Sequence, residues 1–291
     1  MKLLHYDAPP SALRLVRIVV FSVWFLRVAF KPLHDLVFIP PSLYQAVGVL
    51  QLLPPQLEAL LHHSRFLYGL KVVTLLSIAL VIAGVGLRYT MVAACICATL
   101  FASLWRGFAG HIDHESVLIL YAGYLMTIFL FADRWLEAKG QRRSPDGPTP
   151  AGVQLLSILA VLCFVYTMVG VFRTVRGTPG VYTSDSLMFW ALRNAYETVD
   201  PTGHFGKYVI DYPILGQMLR AGYPVITLFE LTAFCALFSR WYRYVFLVVM
   251  VPFHILSLFV LDVFFWENMA LYILFFELGR SDREPKISPA Q

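Results

Sequence analysis

The 291-residue chain is 58% hydrophobic and only 14% charged, which is more apolar surface than one water-soluble core can hide, so lipid must cover the rest. Its net charge of +5 does not point to nucleic acid, because the Lys and Arg residues lie in short loops and at the ends of apolar runs, where basic residues orient membrane helices. Cys95, Cys97, Cys163 and Cys235 all fall inside apolar runs, which argues against a secreted disulfide framework and against a zinc cluster.

A short polar lead precedes an apolar run over about residues 12–30. This run is long enough to cross a bilayer and lacks a small-residue cleavage site, so it reads as a first span rather than a cleavable signal. Arg27 falls in its last turn. Residues 31–65 carry Pro32, Pro40, Pro41, Pro54 and Pro55, a pattern that suits short helices lying in the interface. Further spans are expected over 66–88, which contains Lys71, then 90–105, 114–132 and 152–172. The stretch DRWLEAKGQRRSPDGPTP reads as an aqueous loop, and residues 173–222 as helical pieces on the membrane face. The last three spans are expected over 223–239, 243–264 and 266–279. The fold class is therefore all-α: a polytopic transmembrane bundle of about eight spans with interfacial helices, forming one domain over residues 1–291.

Eight crossings put both termini on one side. Lys2, Arg14, Arg88, Arg134, Lys139, Arg142 and Arg143 fall on that side, with more basic residues near the C-terminus; short segments opposite carry only Lys31, Arg65 and Arg106. The termini are expected to be cytoplasmic.

Polar groups inside the apolar runs are the candidate site. His254 lies about ten residues from either end of 243–264, roughly 15 Å from each interface at the helical rise. Two residues upstream, Pro252 leaves a backbone carbonyl of the preceding turn without its donor. Glu230 lies about 10 Å below the expected outer end of its span. Arg27 at the outer end of the first span, Lys71, the group His111, Asp113 and His114, and the pair Asp262 and Asn268 fall in the same outer half. Six distant segments thus bring polar groups to similar depth, as one cavity opening toward the outer leaflet would require. Each group has two readings. His254 is either a neutral imidazole satisfied by a carbonyl or a proton relay to a ligand. Glu230 needs a cation beside it or a ligand to serve. Lys71 either snorkels to the interface or acts as a base. Arg27 and Arg173 are either interfacial anchors or contacts to an anionic headgroup or oxyanion. His111 and His114 have metal-ligand spacing but no third ligand fixed by the sequence, so no metal is expected.

The order of features resembles the HTTM superfamily, the membrane domain shared by vitamin K-dependent gamma-carboxylases and their bacterial relatives. The matching pieces are the arginine-flanked first span, AVGVLQLLPP, DHESVLILYAGYLMTIFLFADRW, YTMVGVFR, FELTAFCALFSR and FHILSLFVLDVFFWENMALYILFF. Together they cover about residues 12–279. The resemblance aligns His114 with a histidine of an Asn-His-Ser type motif and His254 with the histidine opening the late helix. It implies a membrane pocket suited to a quinone-like or other lipidic molecule. Where those carboxylases carry paired lysines, one of them the base, this chain has Phe172 and Arg173 after Tyr166 and Gly170. Arginine stays protonated and is a poor base. The sequence also ends at residue 291 without the large soluble portion that binds the carboxylase's protein substrate, so gamma-carboxylation is not expected.

Two functions follow. One is a quinone- or lipid-modifying membrane enzyme with Glu230, His254, His114 and Lys71 handling protons and Arg27, Arg173, Tyr166 and Asn268 contacting the ligand. The other is a non-catalytic protein that binds or transports a lipid or peptide. The expected cofactor is a quinone or lipid, without a metal. The expected partners are membrane lipid and a small membrane protein or peptide, without nucleic acid. The expected location is a bacterial inner membrane.

Overall fold

The structure, a computed structural model, describes residues 8–40, 43–52, 54, 63–109, 117–140, 149–177, 186–197, 205–261 and 265–276. Every regular element among them is helical. In chain order the α-helices are α1 (Pro10–Phe30), α2 (Ser64–Ala83), α3 (Leu87–Ala109), α4 (Val117–Ala138), α5 (Pro150–Gly177), α6 (Ser186–Glu197), α7 (Tyr208–Asp211), α8 (Pro213–Leu231), α9 (Arg240–Leu261) and α10 (Trp266–Ala270). Five of them, α2, α3, α4, α5 and α9, are long and apolar enough to cross a membrane. A helix closes its own backbone hydrogen bonds, which is what a chain needs where lipid offers none.

The chain packs as two compact units, one from Tyr6 to Ile158 and one from Leu159 to Phe276. In the N-terminal unit α2 packs against α1 and α3, α3 against α4, and α4 back against α1, closing a ring of four helices. Val16, Val20, Phe21, Trp24 and Val28 are buried on α1, the stripe that helical periodicity turns inward. Gly123 on α4 makes room for an indole: a Cβ there would lie 3.2 Å from the Trp24 ring. Gly84 ends α2 in the left-handed region at φ +80°, and the Val85 amide bonds back to the Leu80 carbonyl at 2.9 Å, a closure that L side chains resist. The start of α5 is fixed by Thr149, whose hydroxyl accepts from the Gly152 amide at 3.1 Å and donates to the Ala8 carbonyl at 2.9 Å. Pro150 fills the first helical position, where its missing N–H costs nothing.

The described parts of 31–65 that precede α2 hold short helices, as expected, and these are of 3-10 form, Leu33–Phe38 and Gly48–Leu52, because the prolines deny longer helices their donors. Residues 44–47 run irregularly past α3, with the Gln45 amide bonded to the Gly107 carbonyl at 2.9 Å. One expectation for this unit changes. The helix expected to end at residue 132 continues to Ala138. Asp133, read as the start of a loop, accepts a bond from Gln154 on α5 at 2.9 Å, so the polar end of α4 stays helical after the apolar stretch has finished.

In the C-terminal unit α8 and α9 pack on each other and on α6. The 3-10 turn Phe205–Lys207 is wedged between α6 and α9: a Cβ on Gly206 would lie 2.5 Å from the Ala191 carbonyl and 2.7 Å from that of Val260. The span expected over 223–239 instead begins at Pro213 and stops at Leu231. There Thr232 turns its hydroxyl back to the Leu228 carbonyl at 2.6 Å, and a 3-10 turn, Ala233–Leu237, follows. Arg243, 2% exposed, donates its Nε to the Ala236 carbonyl at 2.7 Å, supplying a donor that the broken helix lacks.

The last expected span, 266–279, is also different. α10 and the 3-10 turn Leu271–Phe275 together reach only about 17 Å at their respective rises, short of a hydrocarbon layer of about 30 Å. The segment runs back along α9 from His254 toward its start. Ring centroids lie 5.4 Å apart for Phe265 and His254, 5.0 Å for Phe275 and Phe246, and 6.4 Å for Phe276 and Tyr244.

Candidate functional site

On α5, Tyr166, Gly170 and Arg173 recur at i, i+4 and i+7, which places them on one face of the helix. Gly170 is where α5 and α8 meet backbone to backbone. A Cβ there would come 2.5 Å from the Leu231 amide nitrogen, a collision no side-chain adjustment removes. One turn on, Arg173 Nη1 meets Glu230 Oε2 at 3.2 Å. Glu230 is 2% exposed and stands in the last turn of α8, the negative end of the helix dipole, so both burial and dipole disfavour an unpaired carboxylate. Arg173 also lies over the Tyr223 ring, 5.3 Å from guanidinium carbon to centroid.

Toward the other end of that α5 face, the Tyr166 hydroxyl makes two buried contacts: His254 Nε2 at 3.0 Å and the Tyr272 hydroxyl at 2.6 Å. A phenol has one proton to give, so two arrangements are open. Either Tyr272 donates to Tyr166, which donates to His254, or His254 donates to Tyr166, which donates to Tyr272. A change of histidine tautomer interconverts them. In both, Nδ1 of His254 is the open end; it is buried without a hydrogen-bond partner among the described residues. Phe246 packs edge-on against Tyr166 at 5.5 Å and against Tyr272 at 6.2 Å, fixing both phenols. The charges on Arg173 and Glu230 act on Tyr166, and that on Arg173 acts on His254, so ion pair and hydrogen-bonded chain form one electrostatic cluster.

Four of the eight residues singled out in the sequence, Tyr166, Arg173, Glu230 and His254, therefore come together. Asn268 is buried on α10 in the same unit, with Oδ1 lacking a hydrogen-bond partner among the described residues. Lys71 and Arg27 belong to the N-terminal unit. Lys71 Nζ donates to the Ala29 and Lys31 carbonyls, each at 2.9 Å, closing the end of α1, and this favours anchoring over the base role. Arg27 lines a small hollow with Trp24 and Trp105. His114, like His111, Asp113 and Asp262, lies outside the described residues. Among the described residues no three His, Cys, Asp or Glu side chains stand close enough to hold a metal ion.

One member of the cluster, Tyr272, and one buried cation of the same unit, Arg243, escaped the sequence reading. Tyr272 sits among aromatics that read as belt or packing residues, and only the folding-back of its segment brings it to Tyr166. Arg243 reads as a span-end anchor, yet it is one of the most deeply buried side chains.

The unit also holds a cavity of about 790 Å³ between α8 and α9, within the usual size range of small-molecule sites. Its walls include Met218, Ile226, Val249, Phe253 and Phe259, with Ser257 and Tyr223 as the hydroxyl-bearing side chains. Glu230 and His254 do not line it; Tyr223 does, and is the residue that links it to Arg173.

Fold and cluster together define an all-helical protein with the apolar helices of an integral membrane protein and a buried polar cluster in its C-terminal unit. Compared with protein-family models, curated proteins and solved structures, the chain finds no match.

Proposed function

We propose that this is an HTTM-like integral membrane protein whose C-terminal unit binds a quinone-type or other lipidic molecule and moves a proton on its polar head. The observation that carries the reading is the buried chain Tyr272–Tyr166–His254 beside the Arg173–Glu230 pair. In apolar surroundings such a network needs a reason, since each buried polar group costs stability unless satisfied. In this reading the apolar tail occupies the cavity between α8 and α9, and the head lies near Tyr223 and the ion pair. Tyr166 and His254 exchange the proton, and Arg173 holds negative charge without acting as a base. His114 remains part of the proposal as a second acid or base.

The same reading takes α1 and α8 as crossing too, with the segment after α9 running back beside it and the rest of the return assigned to the residues that follow Phe276 in the sequence. Both termini are then cytoplasmic, in a bacterial inner membrane. The walls of the cavity favour one other reading. They are almost wholly apolar, as a site that only holds or transports a lipid or peptide would be.

Replacing His254 by Phe and Tyr166 by Phe in full-length, folded protein separates the two. The enzyme reading expects turnover of added quinol or lipid to fall by about a hundredfold or more. Unchanged turnover, or a stoichiometric and chemically unaltered lipid bound by wild type and variants alike, overturns it in favour of the binding protein.

A further inference from the structure

A second cavity, of about 380 Å³, lies within the N-terminal unit, where α1, α3 and α5 begin and α4 ends. Its walls include Leu13, Met91, Met126 and Leu130, and among the described residues the cation that lines it is Arg17. Arg17 is half-buried on α1, its Nε is out of contact with solvent, and that nitrogen has no hydrogen-bond partner among the described residues. Among the described residues no acid lies within ion-pair distance, and the charge that acts on it is a second cation, Arg14. Lys71, in the same unit, shows what an arranged cation looks like there, with two carbonyls in place.

The position of the guanidinium matters as much as its isolation. Arg17 is about 10 Å along α1 from Pro10, and its Nη2 lies 3.4 Å from where a Cβ on Gly84 would stand, at the end of α2. The side chain thus reaches back toward the face where α2 ends and α3 and α5 start, the depth at which a long cationic side chain meets headgroups. Below it the Leu and Met walls continue into the apolar layer. Asp133 also lines the cavity, but it already accepts a bond from Gln154.

We infer that this cavity holds a membrane lipid with an anionic head, its phosphate paired with Arg17 and one acyl chain lying along Leu13, Met91, Met126 and Leu130. The site is separate from the cluster of the C-terminal unit and stands whether or not that unit is an enzyme. An anionic head supplies the charge that Arg17 lacks, and a tail supplies the apolar atoms that the walls lack.

The test uses full-length protein in phosphatidylcholine vesicles doped with spin-labelled phosphatidylglycerol, with spin-labelled phosphatidylcholine and spin-labelled stearate as parallel probes. Wild type should immobilise about one phosphatidylglycerol per chain in preference to phosphatidylcholine. Arg17→Gln should weaken that preference by about tenfold, as loss of a charge-assisted contact implies, and Arg17→Lys should retain most of it. Leu130→Trp, which fills the cavity and keeps the cation, should lose the bound lipid as well, so the inference remains testable if Arg17→Gln does not fold. Equal retention of both phospholipids by wild type, unchanged preference in Arg17→Gln, or full binding by Leu130→Trp overturns it. So does stearate binding more tightly than phosphatidylglycerol, or stabilisation by inorganic phosphate alone, since the occupant would then be a free acid or a soluble anion.

Discussion

The two units handle polar groups differently. In the N-terminal unit Thr74 and Ser77 return their hydroxyls to the carbonyl four residues back, and Lys71 closes a helix end. Thr99 and Thr127 add short links to Tyr124 and Cys95 on neighbouring helices. In the C-terminal unit Thr174, Thr227, Thr232 and Ser257 also return their hydroxyls to the carbonyl four residues back, but this unit adds charged and acidic groups more than fifty residues apart in sequence and joined across helices: Arg173 with Glu230, and Tyr166 with His254 and Tyr272. A hydroxyl that satisfies its own helix says nothing about a neighbour and can be lost cheaply. A buried ion pair is different, because removing one partner strands the other. Sites in membrane proteins are therefore to be sought where polar groups depend on distant partners.

This contrast can be broken by substitution. Arg173→Ala strands the Glu230 carboxylate and should cost about 3 kcal/mol or more, seen as a fall in the melting temperature of full-length protein in detergent. Adding Glu230→Gln to it should restore much of the loss; a double variant as unstable as the sum of the singles would mean the pair is not coupled. Gly170→Ala forces α5 off the α8 backbone and should cost about 1–3 kcal/mol, with loss of whatever activity Tyr166 supports, since the same face carries both. Thr149→Ala removes the cap of α5 and should cost about 1 kcal/mol, which hydrogen exchange at the Gly152 amide would locate. Lys71→Met leaves two carbonyls at the end of α1 to other donors and should cost less than about 1 kcal/mol. If it proved as damaging as Arg173→Ala, the difference between the units would vanish.

Much of the framework was legible in the sequence. Runs of apolar residues long enough to cross a bilayer mark α2 to α5 and α9, and the spacing of Tyr166, Gly170 and Arg173 marks one face of one helix. The partner of that face was not legible. Nothing in FELTAFCALFSR says that the helix stops at Leu231, because the run stays apolar while Thr232 and Arg243 compete for its carbonyls. Once it stops, Glu230 lies at a helix end beside Arg173 rather than partway down a span. Hydropathy likewise records how apolar 266–275 is, without recording that it turns back beside α9. The charged residues after Ala132 read as a loop because hydropathy reports the surrounding medium and not the helix, which is held there by a bond from Gln154.

The returning segment beside α9 has a consequence for what can touch the cluster. In the reading proposed above this short segment lies within an oily layer, where hydrocarbon offers the amides and carbonyls at its ends nothing, so it must be walled in by protein. Leu271, Tyr272, Leu274 and Phe275 are accordingly all 3% exposed or less. Tyr272 is therefore sealed from the surrounding bilayer, and a molecule dissolved there has to approach Tyr166 from some other direction.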